Sequence, residues 1–116
     1  MVRPQLLFFS PRSDPAWPAR LQAALPDMEV VTDPDSADAA RVTAAVVWAP
    51  PHGALARFGH LRLIQVLGAG VDQLLHDASL PADVPVARLL DPALARLVGD
   101  YVLLHALALH RGLYRL

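Results

Sequence analysis

Short continuous apolar runs alternate along this chain with stretches whose apolar residues recur every three or four positions. Leu6-Leu7-Phe8-Phe9 is an apolar run stopped by Ser10-Pro11, and it predicts a first buried strand. Residues 14–25 carry a helical pattern with Trp17, Leu21, Ala24 and Leu25 on one face. Asp14 is the expected N-cap there and Pro15 the first helical residue, with Pro18 still in the first turn, where a missing N–H matters little. Glu29-Val30-Val31 predicts a short second strand, followed by a polar, turn-rich segment over 32–40. Ala44-Ala45-Val46-Val47-Trp48 predicts a third strand closed by Pro50-Pro51, and 52–58 can form one or two helical turns. Leu63-Ile64-Gln65-Val66 predicts a fourth strand, 71–76 a short helix and 84–89 a fifth strand. Asp91-Pro92 then reads as an N-cap with proline at the first helical position of a long helix running to the C-terminus.

Alternation of this kind defines an α/β domain with a parallel sheet, occupying residues 1–116 without a repeat or a linker. A chain of 116 residues is one domain's worth. The 54% hydrophobic and 18% charged composition argues against intrinsic disorder and leaves more apolar surface than a small core needs. The last helix concentrates that excess. Leu94, Leu97, Val98, Tyr101, Val102, Leu104, Leu107 and Ala108 form a broad stripe, and Leu103, Ala106 and Leu109 fill the other side. Such a helix either crosses the sheet or, as favoured here, meets a second domain or a second copy of the chain.

Charge and residue usage narrow the chemistry. A net charge of −1 gives no electrostatic footprint for nucleic acid or an anionic membrane. Every basic residue counted is Arg, so mechanisms that need a lysine amine are excluded, as is a P-loop lysine. The absence of Cys removes thiol catalysis, disulfides and cysteine zinc sites, and fits a cytoplasmic location. The apolar stretches at 6–9 and 101–109 fall short of a signal core or a membrane span, so a soluble protein is expected.

The fourth strand leads into Leu67-Gly68-Ala69-Gly70-Val71-Asp72. Glycines between a strand and a helix allow positive φ and close backbone approach to a ligand. The free N–H groups beyond them, at the positive end of a helix dipole, suit a carboxylate or phosphate. The carboxyl end of a parallel strand is also where open α/β sheets bind ligands. A tight structural turn would use the same glycines. The dinucleotide fingerprint is absent, because Gln73 stands where its third glycine belongs.

Ile64-Gln65-Val66-Leu67-Gly68-Ala69-Gly70-Val71-Asp72 resembles the signature of the N-terminal, substrate-binding domain of D-isomer-specific 2-hydroxyacid dehydrogenases. Val46-Val47-Trp48-Ala49-Pro50, Arg88-Leu89-Leu90-Asp91, Val98-Gly99-Asp100-Tyr101-Val102-Leu103 and His110-Arg111 resemble segments of that family's glyoxylate/hydroxypyruvate reductase A branch. The likeness spans essentially the whole chain and is strongest over 61–111; Asp100 departs from it, since Glu is commoner before that Tyr. The resemblance implies a flavodoxin-like three-layer domain, a five-stranded parallel sheet in order 2-1-3-4-5, and a C-terminal inter-domain helix. It implies hydride exchange between NAD or NADP and a small 2-keto or 2-hydroxy acid in the parent protein. The family's catalytic Arg, His and Glu and its dinucleotide loop follow that helix. No catalytic, cofactor or metal residue is therefore carried over, and a truncation or fragment inactive alone and binding no cofactor is expected. The residues carried over are substrate-binding: Gly68, with the backbone N–H groups of Ala69, Gly70 and Val71, and Trp48 as a pocket wall or else a core residue. Self-association as a homodimer through 98–113 is expected.

Rival sites are weaker. His105 and His110 lie five apart on a helix and do not share a face; His52, His60 and His76 fall in separate loops or helix ends. Asp33-Pro34-Asp35-Ser36-Ala37-Asp38 lacks the glycine and closing Glu of a calcium loop and reads as turn and cap chemistry. Arg88 reads as a surface ion-pair partner, with a second anion contact as the alternative, and Ser10 as a strand-end cap. A phosphoacceptor receiver fails on Ser10-Pro11-Arg12, Trp48-Ala49-Pro50 and the missing Lys. A stand-alone anion-binding or dimerising module on the same fold remains the alternative.

Overall fold

A computed structural model describes residues 1–12 and 14–114. Its five strands form one parallel sheet in the order β2-β1-β3-β4-β5, as expected. They are β1 (Gln5–Phe9), β2 (Glu29–Val31), β3 (Val42–Val47), β4 (Leu63–Val66) and β5 (Val86–Ala87). The helices are α1 (Trp17–Ala24), α2 (Asp72–Leu75) and α3 (Pro92–His110).

Strand alternation sorts the side chains onto two faces. Register pairs Leu7 with Val31 and Ala45, Ala45 with Ile64, and Ile64 with Val86, so these residues share one face. On that face the main core joins them and Val47 and Val66 to Leu55, Phe58, Leu61 and Leu74. Phe58 is fully buried, and its removal from water is worth about 2–3 kcal/mol. The segment over 52–58 that supplies Leu55 and Phe58 is a series of turns, not helix. Gly53 breaks it with a φ of 82°. Its N–H donors reach carbonyls three residues back, as in Ala56 N–H to Gly53 O at 3.2 Å and Phe58 N–H to Leu55 O at 3.2 Å. One outer layer is therefore built of turns and the single turn of α2.

The opposite face buries Leu6 and Phe8, whereas Leu63 is exposed there. The expected helix over 14–25 is shorter. Asp14 accepts the Ala16 N–H through its side chain at 2.9 Å and the Trp17 N–H through its carbonyl at 3.0 Å. These bonds spend Asp14 and Pro15 on a turn, and Ala16 becomes the cap residue. Of the expected apolar face, Leu21 and Leu25 are half-buried while Trp17 and Ala24 are exposed. Gln22 ties α1 to the sheet edge: its side chain accepts from Val30 N–H at 2.9 Å and donates to Met28 O at 2.8 Å.

Polar ties hold the amino-terminal sheet edge. Gln5 is buried; it donates to Glu29 at 3.2 Å and accepts the Asp38 N–H at 2.8 Å. Glu29 also pairs with Arg41. Below the sheet, Asp77 accepts from Ser79 Oγ at 2.6 Å, Ser79 N–H at 3.0 Å and Gly53 N–H at 2.8 Å. The Gln5 and Arg41 bonds lower the Glu29 pKa from its ordinary 4.5. The Ser79 hydroxyl and the two N–H donors lower that of Asp77 from 3.8. Depressed carboxylates stabilise the fold fully above their ordinary values and lose that contribution as pH falls through the folded ones. The melting temperature is thus expected to drop as pH is lowered below about 4.5, with a smaller drop in Asp77→Asn. Thermal melts from pH 6 to pH 3 check this, and a flat profile contradicts it.

α3 begins as expected, with the Asp91 carboxylate accepting the Ala93 N–H at 2.9 Å and Pro92 in the first turn. It stops at His110 instead of reaching the C-terminus; Arg115 and Leu116 lie outside the described residues. Gly112, at a φ of 70°, closes it, with Gly112 N–H bonded to Leu109 O at 3.1 Å and Leu113 N–H to Ala108 O at 2.9 Å. α3 does not cross the sheet. Ala108 is its one buried residue among those described, and the chain's long axis reaches 64 Å. The radius of gyration, 18.4 Å, exceeds the roughly 13 Å of a compact domain this long.

Candidate functional site

The site lies at the carboxyl edge of the sheet. Past β4 the chain is pinned to β3 by Leu67 N–H donating to Val47 O at 2.9 Å, then runs through the glycine loop into α2. Val71 ends the loop, its carbonyl accepting from Leu74 and Leu75 N–H, each at 3.0 Å. Among the described residues no acceptor takes the N–H of Ala69, Gly70 or Val71. Ala69 and Gly70 are exposed and Val71 is half-buried. α2 has only four residues, too short for the helix dipole expected behind them. The unpaired donors here are the loop's own N–H groups.

The glycines serve a purpose other than the expected positive φ, since neither Gly68 nor Gly70 has one. A Cβ on Gly68 would overlap Cζ3 of Trp48, with Cη2 and Cε3 at 3.1 and 3.2 Å. Glycine stands at 68 because the indole lies flush against the backbone. A Cβ on Gly70 would meet no protein atom within 4 Å. Trp48 itself is 37% exposed, which places it on a wall and not in the core. Its N–H donates to Phe9 O at 2.8 Å, extending β3 by one residue. Ala49 then takes a φ of 45°, a left-handed conformation that costs an alanine about 1–2 kcal/mol. Strain of this kind gathers at binding sites, and no sequence signal pointed to Ala49.

Together these residues bound a mostly apolar cleft of about 230 Å³, lined by Val47, Trp48, Pro50, Val66, Val71 and Leu74 and by the exposed Gly70, Asp72 and Gln73. On its other side the glycine loop is held by the end of β5. Leu89 N–H donates to Gly68 O at 3.0 Å, and Arg88 Nη1 to Ala69 O at 3.2 Å. Among the described residues Arg88 forms no ion pair; the pair there is Arg41 with Glu29.

The structure brings together Trp48, Gly68, Gly70 and Val71 and leaves the rival residues apart. No group of three His, Cys, Asp or Glu is placed to hold a metal among the described residues. Asp33 accepts the Asp35 N–H at 2.9 Å and Asp38 the Ala40 N–H at 3.0 Å, which is turn chemistry. His105 Nδ1 lies 2.9 Å from Tyr101 O within α3. The loop does not fit a dinucleotide either: the indole fills the space over Gly68, Gln73 replaces the third glycine, and α2 offers one turn.

No family model matches the chain. Curated relatives do. Glyoxylate/hydroxypyruvate reductase A of Serratia proteamaculans is 37% identical over 100 residues, which cover 82% of this chain and 32% of the relative. Among solved structures, a D-isomer specific 2-hydroxyacid dehydrogenase from Xanthobacter autotrophicus, in complex with NADPH and MES, superposes with a TM-score of 0.69 at 40% identity. That match covers 92% of this chain and 36% of the other. The NADPH-dependent glyoxylate/hydroxypyruvate reductase of Sinorhizobium meliloti, bound to NADP and sulfate, has the same TM-score, 0.69, at 28% identity, covering 96% of this chain and 36% of the other. Sheet order, glycine loop and these matches define a domain of the D-isomer-specific 2-hydroxyacid dehydrogenase family, to which the chain belongs. Within the family its relatives are of the glyoxylate/hydroxypyruvate reductase A branch. The chain spans about a third of their length.

Proposed function

We propose that this domain supplies the substrate-carboxylate anchor of an NADP-dependent 2-hydroxyacid dehydrogenase acting on a small 2-keto acid such as glyoxylate or hydroxypyruvate. The observation that carries the proposal is the run of unpaired N–H donors at Ala69, Gly70 and Val71, of which Gly70 and Val71 line an apolar cleft walled by Trp48. A carboxylate accepts several such bonds at once, and each charge-assisted bond is stronger than a neutral one. The cleft, of about 230 Å³ with an indole wall, has room for a small 2-keto acid. The reductases named above, one of them solved with NADP, support the substrate class and the cofactor. We assign NADP to the parent protein and none of its contacts to these residues. Hydride and proton transfer are likewise assigned to no residue here.

The same proposal gives α3 a partner. Leu94, Leu97, Tyr101 and Leu104 recur at three- and four-residue spacing and are 49–65% exposed. A seam of this spacing suits a second helix, and we propose that a second copy of the chain provides it. A stand-alone anion-binding module would be expected to cover that helix itself. By length and composition α3 could also cross a membrane. Arg96 and Asp100 within it would each cost about 2.5–3.5 kcal/mol at a bilayer centre, which favours the protein contact.

Gly70→Ala separates binding from folding. The added methyl meets no protein atom and requires no positive φ. The variant is therefore expected to melt no lower than the parent chain. Its affinity for glyoxylate is expected to fall at least about tenfold, because the methyl is added at a cleft-lining residue whose own N–H is one of the donors. Unchanged affinity in a normally folded variant contradicts the anchor.

A further inference from the structure

Two carbonyls of the glycine loop are held from the same side. Leu89 N–H takes Gly68 O at 3.0 Å and the Arg88 guanidinium takes Ala69 O at 3.2 Å; both donors come from the chain just past β5. In a trans peptide the carbonyl of one residue and the N–H of the next point in opposite directions. Fixing Gly68 O toward β5 therefore aims the Ala69 N–H away from β5, and fixing Ala69 O does the same for the Gly70 N–H. The cleft and Trp48 lie at the β3 end, across β4 from β5. The two clamps thus turn successive N–H groups to one side, where an anion can accept both.

They differ in kind. The Leu89 bond is a backbone bond that continues the β4–β5 pairing, and any residue but proline could make it. The Arg88 bond is made by a side chain, and it is charge-assisted. A cation on Ala69 O also polarises that peptide and makes the Gly70 N–H a stronger donor.

We propose that Arg88 is the positioning residue of the anion anchor, acting through the Ala69 carbonyl to orient and strengthen the Gly70 N–H. This rests on the carboxylate-anchor function proposed above. Arg88 is exposed and forms no ion pair among the described residues, so its replacement removes little from the fold. A planar guanidinium fixes the direction of its donors, whereas a lysine ammonium supplies charge without that direction.

The test uses this chain, labelled with ¹⁵N and ¹³C, and oxalate as the probe. Three forms are compared: unsubstituted, Arg88→Met and Arg88→Lys. In the ligand-free state the Ala69 carbonyl carbon and the Gly70 amide are expected to shift in Arg88→Met, while resonances of the β1 and β3 core stay in place. Oxalate affinity is expected to fall about tenfold in Arg88→Met and to recover in part in Arg88→Lys, with melting temperatures alike. Equal oxalate affinity in all three forms overturns the proposal, whether or not the carbonyl shifts. Failure of the unsubstituted chain to bind oxalate instead overturns the carboxylate anchor, and the positioning role with it. An unmoved Ala69 carbonyl in Arg88→Met removes the contact on which the role depends, even where the anchor itself binds.

Discussion

Replacing Gly68 by alanine is expected to destabilise the domain by about 1–3 kcal/mol and to remove anion binding, although the change adds one methyl group. The new Cβ would overlap Cζ3 of Trp48, and two more indole atoms lie at 3.1 and 3.2 Å. The ring cannot retreat by sliding along its backbone, because Trp48 N–H is bonded to Phe9 O at 2.8 Å and Ala49 behind it is already held at a φ of 45°. It must swing out of the cleft or push the loop off the end of β5. The first movement removes the cleft's indole wall, and the second carries the Ala69 and Gly70 N–H groups with the loop. Chemical denaturation followed by tryptophan fluorescence reads the loss. A second substitution, Trp48→Ala, removes the obstruction, so Gly68→Ala is expected to cost less in that background, by about 1 kcal/mol or more of coupling. Additive effects of the two substitutions would show that the indole does not govern residue 68.

The second large effect concerns α3. The chain is expected to sediment as a dimer at tens of micromolar, and Leu104→Glu is expected to render it monomeric. Leu104 is 63% exposed and sits between Tyr101 and Ala108 on the helix seam. Glutamate is a good helix former, so α3 itself should persist and circular dichroism should change little. A desolvated, unpaired carboxylate at a dimer contact costs about 2–5 kcal/mol, which weakens association at least about thirtyfold. A strict monomer before substitution would contradict pairing through this helix and leave its apolar surface to some other partner.

Apolar runs in the sequence marked all five strands, and β2 and β4 began and ended where those runs did. Parallel strands buried on a common core leave that kind of trace. Element ends were less legible where one local pattern serves two geometries. Asp14-Pro15 has the chemistry of a helix start, yet Asp14 makes a turn ahead of α1, and Pro18 is the proline inside the helix. The turns over 52–58 place Leu55 and Phe58 in the core at a spacing that also suits a helix.

Within the site the loop was legible and its reasons were not. Gly68 was expected to permit a positive φ, whereas it makes room for Trp48, a contact between β3 and β4 that depends on strand register. Arg88 had no local partner in the sequence, because Ala69 lies 19 residues away and reaches it only through the pairing of β4 with β5. Ala49 carries no sign of its backbone strain. Asp77-Ala78-Ser79 did carry a turn signature, an Asp two residues before a Ser whose N–H it accepts.

The central claim is that the N–H groups of Ala69, Gly70 and Val71 hold the carboxylate of a small 2-keto acid. Titrating the ¹⁵N-labelled chain with glyoxylate and following every backbone amide tests it most directly. With only a few hydrogen bonds to a small ligand, binding in the millimolar range is expected. Saturable shifts should centre on those three amides and the Trp48 indole N–H. Shifts that centre elsewhere, or no saturable shift at the loop up to about 0.1 M glyoxylate, would contradict the account.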